Sequence, residues 1–383
     1  MVRQFLTLSA GEAVARGLHA LAFIVLARSV GPGALGAFGL AQAISSYGSL
    51  AVQRGLDLPA ILRVTREPQR APSIRAALIR LRLPVFCLLL LGAIAWGDRL
   101  LLAMAGMWLA AVVQVRWLLL ARQLAGTIAI GAILSAGLFL AAALARLPII
   151  WVGMALSAGE LLAAAWYWRA AGGSLTATER LDRKIQQDAW PFLTSLLLGN
   201  LLYSLDVFIL GALRNEIEVG LYLAAYRFIT VFSPILGALQ NSALPRFGAL
   251  YPDHPGADIL AWRIGVRSAG VSLALALVLA LTPALLLPLV YGTGFAEAAR
   301  LAPVFAAVLP IQVVRMIYRQ ALLTFGGEKK DVQNLALAVA VNLVIDLLLV
   351  PSQGAMGCAI ATLCAESCFA ILTWRSWRRA ACA

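Results

Sequence analysis

Twelve apolar stretches, each about as long as a lipid bilayer is thick, succeed one another along the chain and dictate what it can become. They fall at 8–30, 35–56, 78–96, 100–121, 125–145, 147–168, 189–211, 219–250, 263–291, 297–325, 332–350 and 354–374. A hydrocarbon core of roughly 30 Å takes about 20 apolar residues per helical crossing. No water is present at that depth, so each crossing must satisfy its own backbone, which makes the helix the local structure. Only 13% of the sequence is charged and 62% is hydrophobic, whereas soluble domains carry about 25% charge. The expected fold is all-α: a polytopic membrane protein of about twelve transmembrane helices.

Basic residues outnumber acidic ones 31 to 18, for a net charge of +13. In a soluble chain that balance would suggest nucleic acid. Here it reports topology, and no nucleic-acid partner is expected. One set of alternate connections carries 20 basic residues, including the six arginines from Arg63 to Arg82, while the opposite set carries five: Arg28, Arg99, Arg146, Arg214 and Arg300. The positive-inside rule then places both termini in the cytoplasm. The first stretch holds Glu12 and Arg16 and lacks the cleavage pattern of a signal peptide, so it is expected to remain.

The polar run from Ala170 to Asp188, with Gly172-Gly173-Ser174, separates six stretches from six. It predicts an N-terminal bundle over 1–172, a cytoplasmic linker over 173–187 and a C-terminal bundle over 188–383. An even number of crossings precedes it, so the second half enters in the same sense as the first and any repeat is parallel. An offset of 184 residues brings Gly36-Ala37-Phe38 onto Gly220-Leu221-Tyr222. It also brings Gln42, Ser46, Ser49 and Asp57 onto Tyr226, Thr230, Ser233 and Asn241. Those positions share one helix face in each half. Arg16 and His19 fall opposite Asn200 and Tyr203, and Glu160 matches Glu366 at an offset of 206.

The run Leu26-Ala27-Arg28-Ser29-Val30-Gly31-Pro32-Gly33-Ala34-Leu35-Gly36-Ala37-Phe38-Gly39-Leu40-Ala41, with Gly55-Leu56-Asp57 closing the second stretch, resembles polysaccharide-biosynthesis flippases. Ser204-Leu205-Asp206-Val207-Phe208-Ile209-Leu210-Gly211, Gly220-Leu221-Tyr222 and Pro351-Ser352-Gln353-Gly354-Ala355-Met356-Gly357-Cys358-Ala359-Ile360 are similar to later parts of the same proteins. These are the Wzx-type flippases of the multidrug/oligosaccharidyl-lipid/polysaccharide exporter (MOP) superfamily. The resemblance implies two six-helix bundles around a central cavity, lined mainly by the first, second, seventh and eighth helices. It implies a bacterial inner-membrane location and a substrate of the undecaprenyl-pyrophosphate-linked oligosaccharide type. Membrane lipids and polysaccharide polymerase or export proteins would be its partners.

A charge at membrane depth costs at least about 2.5–3.5 kcal/mol on insertion scales and therefore faces a cavity or a partner. Arg16, Arg227 and Arg315 lie deep in their stretches, and Arg54 nearer an end. The arginine fork suits phosphate oxygens. Together with Gln42, Ser46, Tyr226, Thr230 and Asn200 these arginines form the expected substrate-binding set. Glu12, His19 and Asp206 are the candidates for ion coupling. Each has a plainer reading: Arg16 pairs with Glu12 one turn earlier, Arg227 pairs across helices with Asp206, and His19 packs. Asn342 and Asp346, one turn apart, fit a cation, against which stands simple solvation of Asp346 near the end of its stretch. The five cysteines show no paired spacing, so no disulfide framework and no metal site is expected; Cys364 and Cys368 share a helix face but read as packing residues. No cofactor, nucleotide loop or catalytic constellation is expected, because the only histidines are His19 and His254 and Gly31-Pro32-Gly33 follows no strand.

The favoured function is a secondary flippase working by alternating access. A cation-coupled drug or small-molecule exporter of the same superfamily would need acidic cavity walls. A membrane glycan polymerase or ligase would need a large extracytoplasmic loop, which the spacing of the stretches does not leave. A non-transporting scaffold for lipid-linked precursors would bind them without moving them.

Overall fold

The computed structural model describes residues 2–172, 183–231 and 244–381, and every regular element among them is helical. Eight helices are long and apolar enough to cross a membrane, or nine if the bent pair Leu193–Leu202 and Ser204–Leu213 counts as one span. The first of the eight, Thr7–Arg66, contains two of the expected stretches. Helix α1 (Val2–Gln53) runs through both with a single break at Gly31, whose φ of 75° and ψ of 177° suit glycine. Pro32 then sets the backbone for the following turn. The loop expected between the first two stretches is therefore one residue long.

The chain divides into two compact units, Met1–Val30 with Phe38–Leu197, and Gly31–Ala37 with Leu198–Ala383. The expected linker lies outside the described residues as far as residue 182, and from Arg183 the chain is already helical.

In the first unit, α1 is followed by α2 (Asp57–Arg66), α3 (Ala71–Trp96), α4 (Arg99–Met104), α5 (Gly106–Val113), α6 (Arg116–Ala121), α7 (Ala125–Leu144) and α8 (Ile149–Ala171). The third stretch begins earlier than expected, because the arginines that end its apolar run find internal partners. Arg75 donates to the carbonyl of Gly172 at 3.1 Å and lies over the Trp168 ring, and Arg122 donates to the carbonyl of Ala171. Two cations thus cap the open carbonyls at the end of α8. The stretch expected as one helix over 100–121 is instead three short ones. At the second break Arg82, fully buried, donates at 3.3 Å to the carbonyls of both Ala111 and Gln114 and pairs with Asp57. Freed carbonyls at membrane depth need such a donor. α7 and α8 approach closely where Gly131 meets Tyr167 and Gly159 meets Ser135, since a Cβ at either glycine would lie 2.2 and 2.8 Å from those residues.

The second unit contains the later part of α9 (Arg183–Leu213), then α10 (Glu216–Thr230), α11 (Leu244–Leu250), α12 (His254–Leu281), α13 (Pro283–Tyr291), α14 (Ala302–Thr324), α15 (Glu328–Gln353) and α16 (Ala355–Ala381). The stretch expected over 263–291 breaks at Thr282, because Pro283 cannot donate to the preceding turn and disfavours helix at the residue before it. The start of the 297–325 stretch is a 3₁₀ helix, Thr293–Arg300, ahead of α14. Of the 219–250 stretch, α10 and α11 are described, and Ser233 and Asn241 lie outside the described residues. α14 packs against α12 and α16, and α15 pairs with α16. The tight turn between α15 and α16 is tied to α10, because Glu218 accepts the backbone N–H of Ala355 at 2.8 Å and the Arg214 side chain at 3.0 Å.

Candidate functional site

The most distinctive polar assembly is buried in the second unit. Asp206 on α9 is 1% exposed. Its Oδ2 accepts from the Tyr222 hydroxyl and from Thr362 Oγ1 at 2.8 Å, and its Oδ1 accepts from Asn342 Nδ2 at 3.0 Å. Asp346, one turn beyond Asn342 on α15, has no exposed surface. Neither oxygen of Asp346, nor Oδ1 of Asn342, has a well-formed hydrogen bond among the described residues, and the polar groups that face Asp346 are the Asp206 carboxyl and the Cys358 thiol. The side-chain ligand atoms of Asp206, Asp346 and Cys358 lie within 4.8 Å of one another. Thr362 Oγ1 also lies 3.0 Å from the Cys358 carbonyl, so one hydroxyl proton faces two acceptors. No arginine or lysine forms an ion pair with either carboxylate among the described residues.

Two adjoining buried carboxylates without a basic partner need a counter-charge or a shared proton. An oxygen-rich pocket of carboxylate, amide, hydroxyl and carbonyl groups is the chemistry that takes a hard cation. The solvation expected for Asp346 is corrected by its burial: the side chain has no exposed surface and lies against Asp206 of α9 and Cys358 of α16. Asp206 is where the sequence pattern pointed, and the i, i+4 pair of Asn342 and Asp346 was a usable signal. Tyr222, Cys358 and Thr362 were missed as members, since nothing in their apolar helix patterns marks them.

The same unit holds a second polar node. Arg315 is 2% exposed and pairs with Glu366 at 2.8 Å. Gln312 donates to the other Glu366 oxygen at 2.8 Å, and the Phe369 ring lies 4.5 Å from the guanidinium. Arg315, expected to bind substrate, is thus engaged inside its own bundle. Arg319 makes a bidentate pair with Asp331, two bonds of 2.7 Å. Arg227 is half-buried on α10, within electrostatic range of Tyr226 and Tyr291. Asp206, considered as its partner, has its oxygens occupied by the groups above.

In the first unit Glu12 pairs with Arg116 and, at 3.7 Å, with Arg16. The Arg16 side chain is 68% exposed. Arg116 was missed as the Glu12 partner because 104 residues separate them. His19 lies 5.4 Å from the Phe139 ring centre. Arg54 is exposed at the end of α1 in the left-handed region, φ 55°, and reaches the Leu81 carbonyl at 3.5 Å.

The two polar stripes show one local design. Ser46 Oγ donates to the Gln42 carbonyl at 2.8 Å, and Thr230 Oγ1 donates to the Tyr226 carbonyl at 2.9 Å. These are the same bonds at positions 184 residues apart. Gln42, Ser46, Tyr226, Thr230 and Asn200 are all half-buried, and Tyr226 stacks on Tyr222 and meets Phe305 edge-on.

No family model and no curated protein matches the chain. Solved structures do. The chain is similar to the lipid II flippase MurJ in an inward closed conformation, with a TM-score of 0.80, 11% identity, and coverage of 98% of this chain and 90% of that one. It is similar to an inward-facing multidrug resistance MATE family transporter of the MOP superfamily, with a TM-score of 0.69, 17% identity and coverage of 95% and 94%. A MOP superfamily transporter from Pyrococcus furiosus matches with a TM-score of 0.60, 17% identity and coverage of 99% and 96%. At such identities the likeness is one of architecture: this polytopic membrane chain has the fold that MurJ and the MATE transporters share.

Proposed function

We propose that the protein is a cation-coupled secondary flippase that carries an undecaprenyl-pyrophosphate-linked oligosaccharide across the bacterial inner membrane by alternating access. The observation that carries the reading is the buried, oxygen-rich cluster of Asp206, Asn342, Asp346, Cys358 and Thr362, which lacks a basic partner among the described residues. Binding of a cation there supplies the counter-charge and couples an ion gradient to conformation. The substrate half of the reading rests on Arg16, with Arg227 and Arg54, as ligands for pyrophosphate oxygens, and on the resemblance in sequence. The stripes through Gln42, Ser46, Tyr226 and Thr230, with Asn200, face water and the glycan. Glu12 positions Arg16, and His19 packs beside it. The bundles 1–172 and 188–383 are the moving parts, with 173–187 joining them. Polysaccharide polymerase or export proteins would receive the product.

A drug exporter of the same fold would bind cationic substrates and need exposed carboxylates in place of Arg16. Proteoliposomes separate these readings. Radiolabelled sodium should bind the wild type and Arg16→Ala but not Asp346→Asn. Sodium-driven movement of a fluorescent polyprenyl-pyrophosphate saccharide should be lost in both variants. Sodium binding that survives Asp346→Asn would remove the coupling site. Transport of the saccharide by Arg16→Ala at the wild-type rate would remove the proposed substrate ligand.

A further inference from the structure

We propose that the end of the second unit where α12 begins and α16 stops binds an anionic phospholipid, with its phosphate held by arginines and its chains against two tryptophans. The two helices are joined there by side chains. Asp258 of α12 pairs with Arg378 of α16 and accepts the Trp377 indole N–H at 2.9 Å. Trp377 itself has no exposed surface and packs against the rings of His254 and Phe325.

Both helices are long and apolar enough to cross a membrane. Asp258 is close to the start of α12 and Arg378 close to the end of α16, so the bodies of both helices run from this pair toward the same side, into the bilayer. One turn in, about 6 Å along each helix, stands a Trp-Arg dipeptide: Trp262-Arg263 on α12 and Trp374-Arg375 on α16. Trp262 lies four residues after Asp258 and Trp374 four before Arg378, so each continues the face that carries the ion pair. The tryptophans are 64% and 44% exposed, and the arginines beside them are exposed too. Arg267, a turn deeper on α12, and Arg379, near the end of α16, extend the basic surface.

None of Arg263, Arg267, Arg375 and Arg379 forms an ion pair among the described residues. The acids around them are committed. Asp258 is taken as above, and Asp253 accepts the Gly256 N–H at 3.0 Å. The start of α15 meets α16 through the 3.1 Å bond from Asn334 to Ser376, and there Asp331 holds Arg319 while Glu328 lies beside Lys329 and Lys330. The surplus is positive, so the occupant is an anion. Indole rings favour the headgroup boundary, and basic pockets between membrane helices bind anionic headgroups. A free phosphate would use the arginines and leave the indoles uncovered, whereas a phospholipid uses both. Plain anchoring of the helix ends is the competing role for these side chains, and it carries no preference among lipids.

Lipids brominated on their acyl chains test the site, because bromine quenches the fluorescence of a tryptophan that it touches. Purified protein in phosphatidylcholine vesicles is titrated with brominated phosphatidylglycerol or, separately, with brominated phosphatidylcholine. For the quenching that Trp262 and Trp374 contribute, phosphatidylglycerol should reach the half-maximum at roughly a tenth of the mole fraction that phosphatidylcholine needs, from the attraction of two or more arginines. The preference should vanish in Trp262→Phe with Trp374→Phe and in Arg263→Gln with Arg375→Gln. It should persist in Arg66→Gln with Arg80→Gln, which removes two exposed arginines of the first unit, and it should fade at high salt. Equal titrations of the wild type by the two lipids overturn the proposal. So does a preference that falls alike with either pair of arginines, since that reports general basic charge. An unbrominated polyprenyl-pyrophosphate saccharide should not relieve the quenching, and relief at equal mole fraction would give the site to the transported lipid instead. The lipid comparison, the salt series and this competition use wild-type protein, so they decide even where a variant does not fold.

Discussion

Glu12 serves two arginines unequally, and the difference separates structure from function at the level of single side chains. Arg116 holds it closely, whereas Arg16 lies at 3.7 Å with its side chain 68% exposed. A loose, solvated i, i+4 pair contributes about 0.3–0.5 kcal/mol. Arg16→Ala should therefore leave the unfolding midpoint in detergent nearly unchanged. Arg116→Ala should lower it by an amount corresponding to about 1–2 kcal/mol, because Glu12 then loses its close partner in a half-buried setting. Equal losses from the two variants would refute this division. The sequence offered Glu12 and Arg16 as neighbours on a helix and could go no further, since the ranking depends on an arginine from another span. The burial of Arg315 against Glu366 was not legible, because two charges far apart in the chain look equally available until their helices pack.

At the level of elements, the breaks carry as much information as the helices. Each of the eight or nine spans among the described residues falls on one or, for the first, two of the twelve expected stretches, but three stretches were read as continuous, since periodicity is blind to an interruption that the fold itself repairs. At Gln114 the repair is Arg82, which fills two open carbonyls and pairs with Asp57 while buried completely. Replacing one member of a buried, hydrogen-bonded charge network costs about 3–5 kcal/mol. Arg82→Leu should thus reduce folded yield and thermal stability sharply, and Arg82→Lys should recover only part, since one ammonium lacks the spread of the guanidinium fork. A thermal unfolding series on purified protein reads the order wild type, lysine, leucine. If leucine proved as stable as arginine, the break at Gln114 would have to be self-sufficient. Close crossings have a similar logic. A Cβ at Gly36 would stand 1.8 Å from the Glu216 carbonyl oxygen, and one at Gly220 would stand 1.9 Å from that of Pro32. The two glycines that the 184-residue offset equates thus meet each other's helix turns, as self-complementary contacts between repeated elements do.

For the whole molecule, the arginine distribution unites topology with packing. The residues counted toward the cytoplasmic side in the sequence include Arg75 and Arg122, which cap the last carbonyls of α8, and Arg378, which pairs with Asp258 at the start of α12. Cations at helix C-termini are favourable in their own right, so residues that the positive-inside rule would use to set orientation also close helix ends. Reversing the molecule would oppose a basic bias of 20 to five, and each arginine carried across the bilayer in the wrong sense would add to the cost. The orientation with both termini in the cytoplasm is therefore expected to be firm. A reporter enzyme active only in the cytoplasm should be active when fused after Arg180. A reporter active only outside should be active when fused after Asn215, beyond the span that ends at Leu213. Removing Arg75 and Arg122 together should leave this pattern intact, because many basic residues remain on that side, while destabilising the end of α8, whose carbonyls lose both donors. The opposite pair of reporter activities would invert the topology and, with it, the side from which the proposed anionic lipid-linked substrate would first meet Arg16.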